Sequence, residues 1–339
     1  MNVLEPWVLV RMVAAVVTAS LFAYGAVVGA RVLRHAHVEA ATEGQLSLER
    51  HFELAGNLVR FGAVAQLFSL LLSVLAADRL SGAIQGAMCG YGVVHQNRWG
   101  WISLGITVVV GLIAGVLLQL LALDRGVRGL DLMRPLAWLC IAIAPAALLD
   151  TIVSAAWLGS LDFSVVASCC STTLGEGRRE GAVFWQGPRL LATWGAVIGG
   201  GLAIGTALLA FRTPARGLVT VAGVTALVVV PFAVGAVILE VAPHVYEVPE
   251  HLCPFCLFKA DAFFIGYPLF GAVFLAVVWG LGGAVAAMLS TGEHTRAAFP
   301  AFAQSRMIRQ ASAWAIALLI GALPVGLYAI SSPGASLFR

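Results

Sequence analysis

Cysteine is the residue type in this chain best placed to do chemistry. Five of its six cysteines fall in three short polar stretches. Cys89 stands in Met-Cys-Gly-Tyr, Cys169 and Cys170 are adjacent in Ser-Cys-Cys-Ser, and Cys253 and Cys256 frame Cys-Pro-Phe-Cys. An apolar chain can scatter its thiols through helices as small hydrophobes. Clustering in polar stretches points instead to thiol–disulfide chemistry or to soft-metal binding. The two-residue spacer of Cys-Pro-Phe-Cys lets both sulfurs meet across one turn. The motif is expected where a loop enters a membrane helix, so that the positive end of the helix dipole favours the Cys253 thiolate. Lys259 adds to that field, and Pro254 suits a first helical turn. Cys253 is then the nucleophile and the more open thiol, and Cys256 resolves it. A structural disulfide or a pair of metal ligands is the competing reading of the same motif.

The adjacent pair Cys169–Cys170 has three uses open to it: a strained ring, a soft-ion site, or pairing with separate partners. Cys89 has Gly90 and Gly92 beside it, so the backbone there can bend tightly. Cys140, between Leu139 and Ile141, reads as a packing residue. All seven histidines fall in predicted loops or at helix ends, and there is no Cys-x-x-Cys-His. No haem is therefore expected. His251 with Cys253 and Cys256 makes a compact nitrogen and sulfur set. In the metal reading Cys89, Cys169, Cys170, Cys253, Cys256, His251 and His95 supply the ligands for copper, zinc or mercury.

The elements that must position these residues follow from composition. The chain has 339 residues, is 60% hydrophobic and only 11% charged, with a mean hydropathy of +0.94. The solvent for most of it is lipid. The longest polar stretches are too short for an independent soluble core, and no basic run suggests nucleic acid. Eight stretches are apolar enough to span a bilayer: 7–33, 54–77, 100–123, 133–158, 189–211, 217–239, 262–289 and 310–331. The first has too long an apolar run for a signal peptide and reads as a retained helix. The fold class is all-α, a polytopic integral membrane helix bundle forming a single membrane domain.

Basic residues set the expected orientation. Twelve arginines flank the loops after spans one, three, five and seven, against five arginines and Lys259 in the other loops. The richer side is expected to be cytoplasmic. Both termini and the cysteine-bearing loops 78–99, 159–188 and 240–261 then lie outside a bacterial inner membrane, on the side where disulfides persist. Asp150 lies within the fourth span, where a carboxylate costs a few kcal/mol and faces the bundle interior or a wet cavity. It either pairs with Arg11 of the first span or relays protons to the thiols. Gly195, Gly199, Gly201 and Gly205 of span five, with Gly283 and Ala287 of span seven, give small-residue faces for close helix packing.

A Cys-x-x-Cys at the outer start of a membrane helix, fed by cysteines of another outer loop, resembles the layout of DsbB and vitamin K epoxide reductase. Cys253 and Cys256 carry the likeness as the inner pair, with Cys89, Cys169 and Cys170 as shuttle thiols. The likeness is one of arrangement, and those families are built on a smaller helix bundle. It implies a membrane thiol–disulfide oxidoreductase or electron-transfer protein, linked to a quinone and exchanging with a soluble thioredoxin-like protein outside. Phe263, Phe264 and Tyr267 are then expected to line the quinone pocket. The two alternatives are a soft-metal binding or transport protein and a non-catalytic membrane anchor subunit whose disulfides brace its outer loops.

Overall fold

The computed structural model describes residues 6–35, 43–127, 130–164, 178–333 and 337–338, with 178–186 as backbone alone. All regular structure among them is helical. The elements are α1 (Pro6–His35), α2 (Glu43–Ser81), a short α3 (Gly90–His95), α4 (Arg98–Gly126), α5 (Met133–Gly159), α6 (Arg178–Arg212), α7 (Arg216–Val228), α8 (Val230–Ala236), a π-helical turn (Val237–Val241), α9 (Ala242–Tyr246), 3-10 turns at Pro254–Phe258 and Ala260–Ala262, α10 (Gly266–Leu289) and α11 (Glu293–Ser331). Eight helical segments are long and apolar enough to cross a membrane. The all-α polytopic architecture is therefore as the hydropathy requires, because the bilayer core offers no partner for an open backbone amide.

Several helices outrun the apolar stretch that announced them. The second span lengthens to Glu43–Ser81 and the eighth to Glu293–Ser331. Hydropathy sees only the part of a helix that sits in hydrocarbon, while backbone hydrogen bonding continues into the headgroup zone. The sixth span runs on to Tyr246 through the π-turn. That extension draws Glu240 into the helix, where Arg189 Nη1 bonds its carboxylate at 3.2 Å. His244 Nδ1 lies 2.7 Å from the Glu240 carbonyl, a carbonyl in the stretch that the π-turn's wider winding disturbs.

The chain packs into two compact units. One comprises Met1–Ala76, Asn97–Asp162 and Val285–Phe302; the other comprises Ala77–Gln96, Phe163–Ala284 and Ala303–Arg339. In the first, α5 packs on α1 and α4. Gly29 makes the α1–α5 approach feasible, since a Cβ there would sit 2.9 Å from the Ala137 carbonyl oxygen. Asn97 caps α4 by accepting from the Trp99 amide at 3.0 Å, and its own amide group donates to the Trp157 carbonyl at 3.3 Å. In the second unit, α6 packs on α7 and α8 around Trp314, Ala226, Val229 and Ala276. A side chain at Gly195 would collide with Phe232, and one at Gly199 with Val229, whereas Gly201 and Gly205 face open space. Of the two pairs the first makes the close contacts, and Gly200 beside it meets Leu318.

The core of the first unit is polar at one point. Arg11 and Asp150 are both fully buried and form an ion pair at 3.1 Å. Arg11 Nε donates to Ser73 at 2.6 Å, and Nη2 also donates to Thr107 at 3.1 Å and Ser154 at 3.0 Å. Gln66 donates to Asp150 at 3.3 Å. Helices α1, α2, α4 and α5 thus share one hydrogen-bonded knot. The carboxylate has the arginine partner that its depth demanded. Breaking such a pair leaves an uncompensated charge and costs about 3–5 kcal/mol. Arg11→Met is expected to lower the thermal midpoint of the detergent-solubilised protein sharply. The double variant Arg11→Met/Asp150→Leu should regain most of that loss, and a double variant as unstable as the single would assign the knot another role.

Candidate thiol centre

Two distant segments of the second unit build the site. After α2 the chain turns through Gly86, whose φ of +79° is open to glycine at no steric cost, and reaches Cys89, the extended residue that precedes α3. The second segment starts at the end of α9. Glu247 adopts a left-handed conformation at φ +54°, and the chain turns back. A short loop through His251 leads to Cys253, which precedes the Pro254–Phe258 turn carrying Cys256.

Gly90 decides whether these segments meet. A Cβ on it would come 3.1 Å from the Phe255 ring and 3.3 Å from Ala77 Cβ. Its φ is helical, so its value lies in close packing against the Cys-Pro-Phe-Cys turn and not in the tight bend expected of it. Tyr91 backs this contact, with its ring edge-on to Phe255 at 6.5 Å. Leu257 and Ala262 pack with Val241, Ala242 and Leu269, which fixes the turn on α9 and α10.

The result is a compact sulfur cluster. Cys89 Sγ lies 3.5 Å from Cys253 Sγ, and the sulfurs of Cys89, Cys253 and Cys256 all fall within 4.8 Å of one another. No disulfide joins the described cysteines. The three residues are 0%, 1% and 8% exposed, in that order. Tyr246 donates its hydroxyl to the Cys256 carbonyl at 2.9 Å and stacks on the His251 ring at 4.0 Å between centroids. His251 Nε2 is buried and has no hydrogen-bond partner. Burial pulls His251 below the ordinary imidazole range, with Cys89 opposing. Asp78 lies within electrostatic reach of Lys259, Arg79 and Cys89.

Two expectations about the motif are corrected. Cys253 does not open a membrane helix: it precedes a five-residue 3-10 turn, and α10 begins only at Gly266. So short a turn brings no macrodipole to bear on the thiol. Cys253 is also not the more open residue of the pair, at 1% exposed against 8% for Cys256. The intervening residues are bent sharply, with Phe263 and Phe264 at φ +51° and +55°.

The other candidate residues scatter. Cys169 and Cys170 lie outside the described residues. His95 ends α3, exposed and stacked on Tyr91 at 5.2 Å, and is not part of the sulfur cluster. Phe263 is 91% exposed and encloses nothing; Phe264 is exposed, and Tyr267 meets Phe258 edge-on at 4.9 Å. Asp150 belongs to the other unit, in the knot with Arg11. Cys140 is buried in α5 beside Gly25, as a packing residue. Tyr246 and Asp78 are contributors whose positions no motif announced. A tyrosine near a span's end reads from sequence as an interface anchor.

Comparison with protein-family models, with curated proteins and with solved structures finds no match. The site has to be interpreted from its own geometry.

Exposure orders the reactivity of the three thiols. Brief alkylation of the folded protein, read by peptide mass spectrometry, is expected to modify Cys256 before Cys253 and Cys89. Gly90→Leu should push α3 off the turn and raise Cys89 labelling several-fold. Unchanged labelling in that variant would mean that α3 does not seal the centre.

Proposed function

We propose that this multi-pass membrane protein binds a soft metal ion through Cys89, Cys253 and Cys256, at the outer face of a bacterial inner membrane. The carrying observation is the spacing of the three buried sulfurs, with 3.5 Å between the closest pair and 4.8 Å as the limit for all. Thiolates at about 2.3 Å from a shared ion stand roughly 3.8–4.0 Å apart in tetrahedral or trigonal geometry. A disulfide needs about 2.05 Å. Thiolate ligands select copper(I), zinc and comparably soft ions. Burial suits an ion held in place, because the ion neutralises the anionic charge that three thiolates bring.

A second reading, thiol–disulfide exchange, is favoured by the Cys89–Cys253 contact itself. A Cys89 thiolate at that position is placed to attack Cys253 of an oxidised Cys253–Cys256 pair. A Cys89–Cys253 disulfide would form, and Cys256 would leave as the thiolate carrying the electron pair. The exchange only relocates the disulfide. A dithiol partner such as a thioredoxin-like protein reduces Cys89–Cys253 and becomes oxidised itself, and a two-electron acceptor of the quinone class then takes the electron pair from Cys253 and Cys256 as they re-form their disulfide. The low exposure of all three sulfurs weighs against direct access by a soluble protein.

Anaerobic purification followed by metal analysis and thiol counting separates the readings. One ion per chain, lost in each of Cys89→Ser, Cys253→Ser and Cys256→Ser, supports the metal centre. Metal-free protein with a reducible Cys253–Cys256 disulfide supports exchange. Protein that holds neither, and takes up neither copper(I) nor zinc at micromolar concentration, overturns both. Orientation has its own check, because Val248 lies exposed in the loop that precedes His251. Val248→Cys should react with a membrane-impermeant maleimide in intact cells, and reaction only after lysis would put the centre on the cytoplasmic side.

A further inference from the structure

We infer that His251 is a conditional fourth ligand of the thiol centre, closing on divalent ions and standing off from ions satisfied by three sulfurs. The inference rests on the metal-binding reading. Its starting point is the Nε2 atom of His251, buried and without a hydrogen-bond partner. A ring nitrogen kept dry and unsatisfied is costly and calls for a donor, an acceptor or a metal. Nothing else in the described surroundings supplies one.

The ring's surroundings set where it can go. Its face lies on Tyr246, with an angle of 25° between the two planes. Its backbone amide is tied to the Val248 carbonyl at 3.0 Å. Tyr246 also holds the Cys256 carbonyl at 2.9 Å, so one side chain registers both the imidazole plane and the thiol segment. Cys89 lies within electrostatic reach of the same ring. The three sulfurs form the 4.8 Å cluster by themselves, and Nε2 stands outside it. Ligation therefore requires the imidazole and the sulfurs to draw closer than they stand here.

That geometry separates two classes of ion. Copper(I) is satisfied by soft sulfur at low coordination number. Zinc and cobalt(II) in closed sites take four ligands, and three cysteines with one histidine form an established set. A centre this buried offers a divalent ion little water, and the orphaned imidazole stands within electrostatic reach of Cys89. Each thiol gives its proton to solvent as it ligates, whereas the neutral imidazole brings a lone pair and releases none. His251 then sets which ion the centre retains.

The test uses the full chain in detergent, wild type and His251→Gln, loaded separately with cobalt(II) and copper(I). The wild type should show the intense d–d bands of tetrahedral cobalt. In His251→Gln those bands should weaken and cobalt affinity should fall about ten-fold or more, while copper(I) binds both proteins alike. Equal cobalt spectra and affinities in the two proteins overturn the inference. A wild-type measurement covers the case in which the variant fails to fold. X-ray absorption of the zinc form should show three sulfurs at about 2.3 Å and one imidazole nitrogen at about 2.0–2.1 Å. Zinc bound without imidazole scattering overturns His251 as a ligand and leaves the three-thiol site standing. A wild type that binds none of these ions removes the site and the inference together.

Discussion

Hydrocarbon offers no hydrogen bonds, and that constraint shapes every part of this structure. Each backbone amide inside the bilayer must find its partner within the protein, so the chain resolves into long helices. Polar side chains in the spans obey the same rule locally. Ser73 bonds back to the Ser69 carbonyl at 2.9 Å, Thr206 to Leu202 at 2.8 Å and Thr151 to Ala147 at 2.9 Å. Arg11 and Asp150 are the costly exception. They are tolerated because each neutralises the other and hydroxyls of Ser73, Thr107 and Ser154 accept from the guanidinium.

Irregular backbone is confined to places where side chains or packing can serve it. The π-turn at Val237–Val241 has His244 on the Glu240 carbonyl. The 3-10 turn at Pro254–Phe258 has Tyr246 on the Cys256 carbonyl. The thiol centre sits in this irregular stretch and not inside a helix. A regular helix projects its side chains outward at fixed angles, and three sulfurs converge more readily when a turn, a short helix and a loop bring them from different directions. Packing of Gly90 against Phe255 and Ala77 closes the arrangement.

Burial then biases the chemistry. Three sulfurs within 4.8 Å of one another and shielded from water suit an ion that neutralises them. The same burial leaves His251 with an unsatisfied nitrogen close in sequence to the centre, a cost that a fold has reason to carry where the nitrogen has a use. The aromatic surroundings, Tyr246 above all, hold these groups without competing for the ion.

Much of the fold was legible in the chain itself. Hydropathy determined the number of spanning helices, because the cost of burying polar groups in lipid is local to each segment. The Arg11–Asp150 pair was also legible, since two charges at similar depth have few other partners. Helix ends were less so: Glu240 reads as a loop residue until Arg189 is seen beside it. The chemistry of Cys-Pro-Phe-Cys was visible, but its setting on a 3-10 turn and the greater burial of Cys253 were not. Thiol identity is a property of sequence, whereas the meeting of Cys89 with a cysteine 164 residues away depends on helix packing and on one glycine's missing side chain. Non-local contacts of this kind carry no periodic signal, so only the tertiary structure decided that three of the cysteines form one centre.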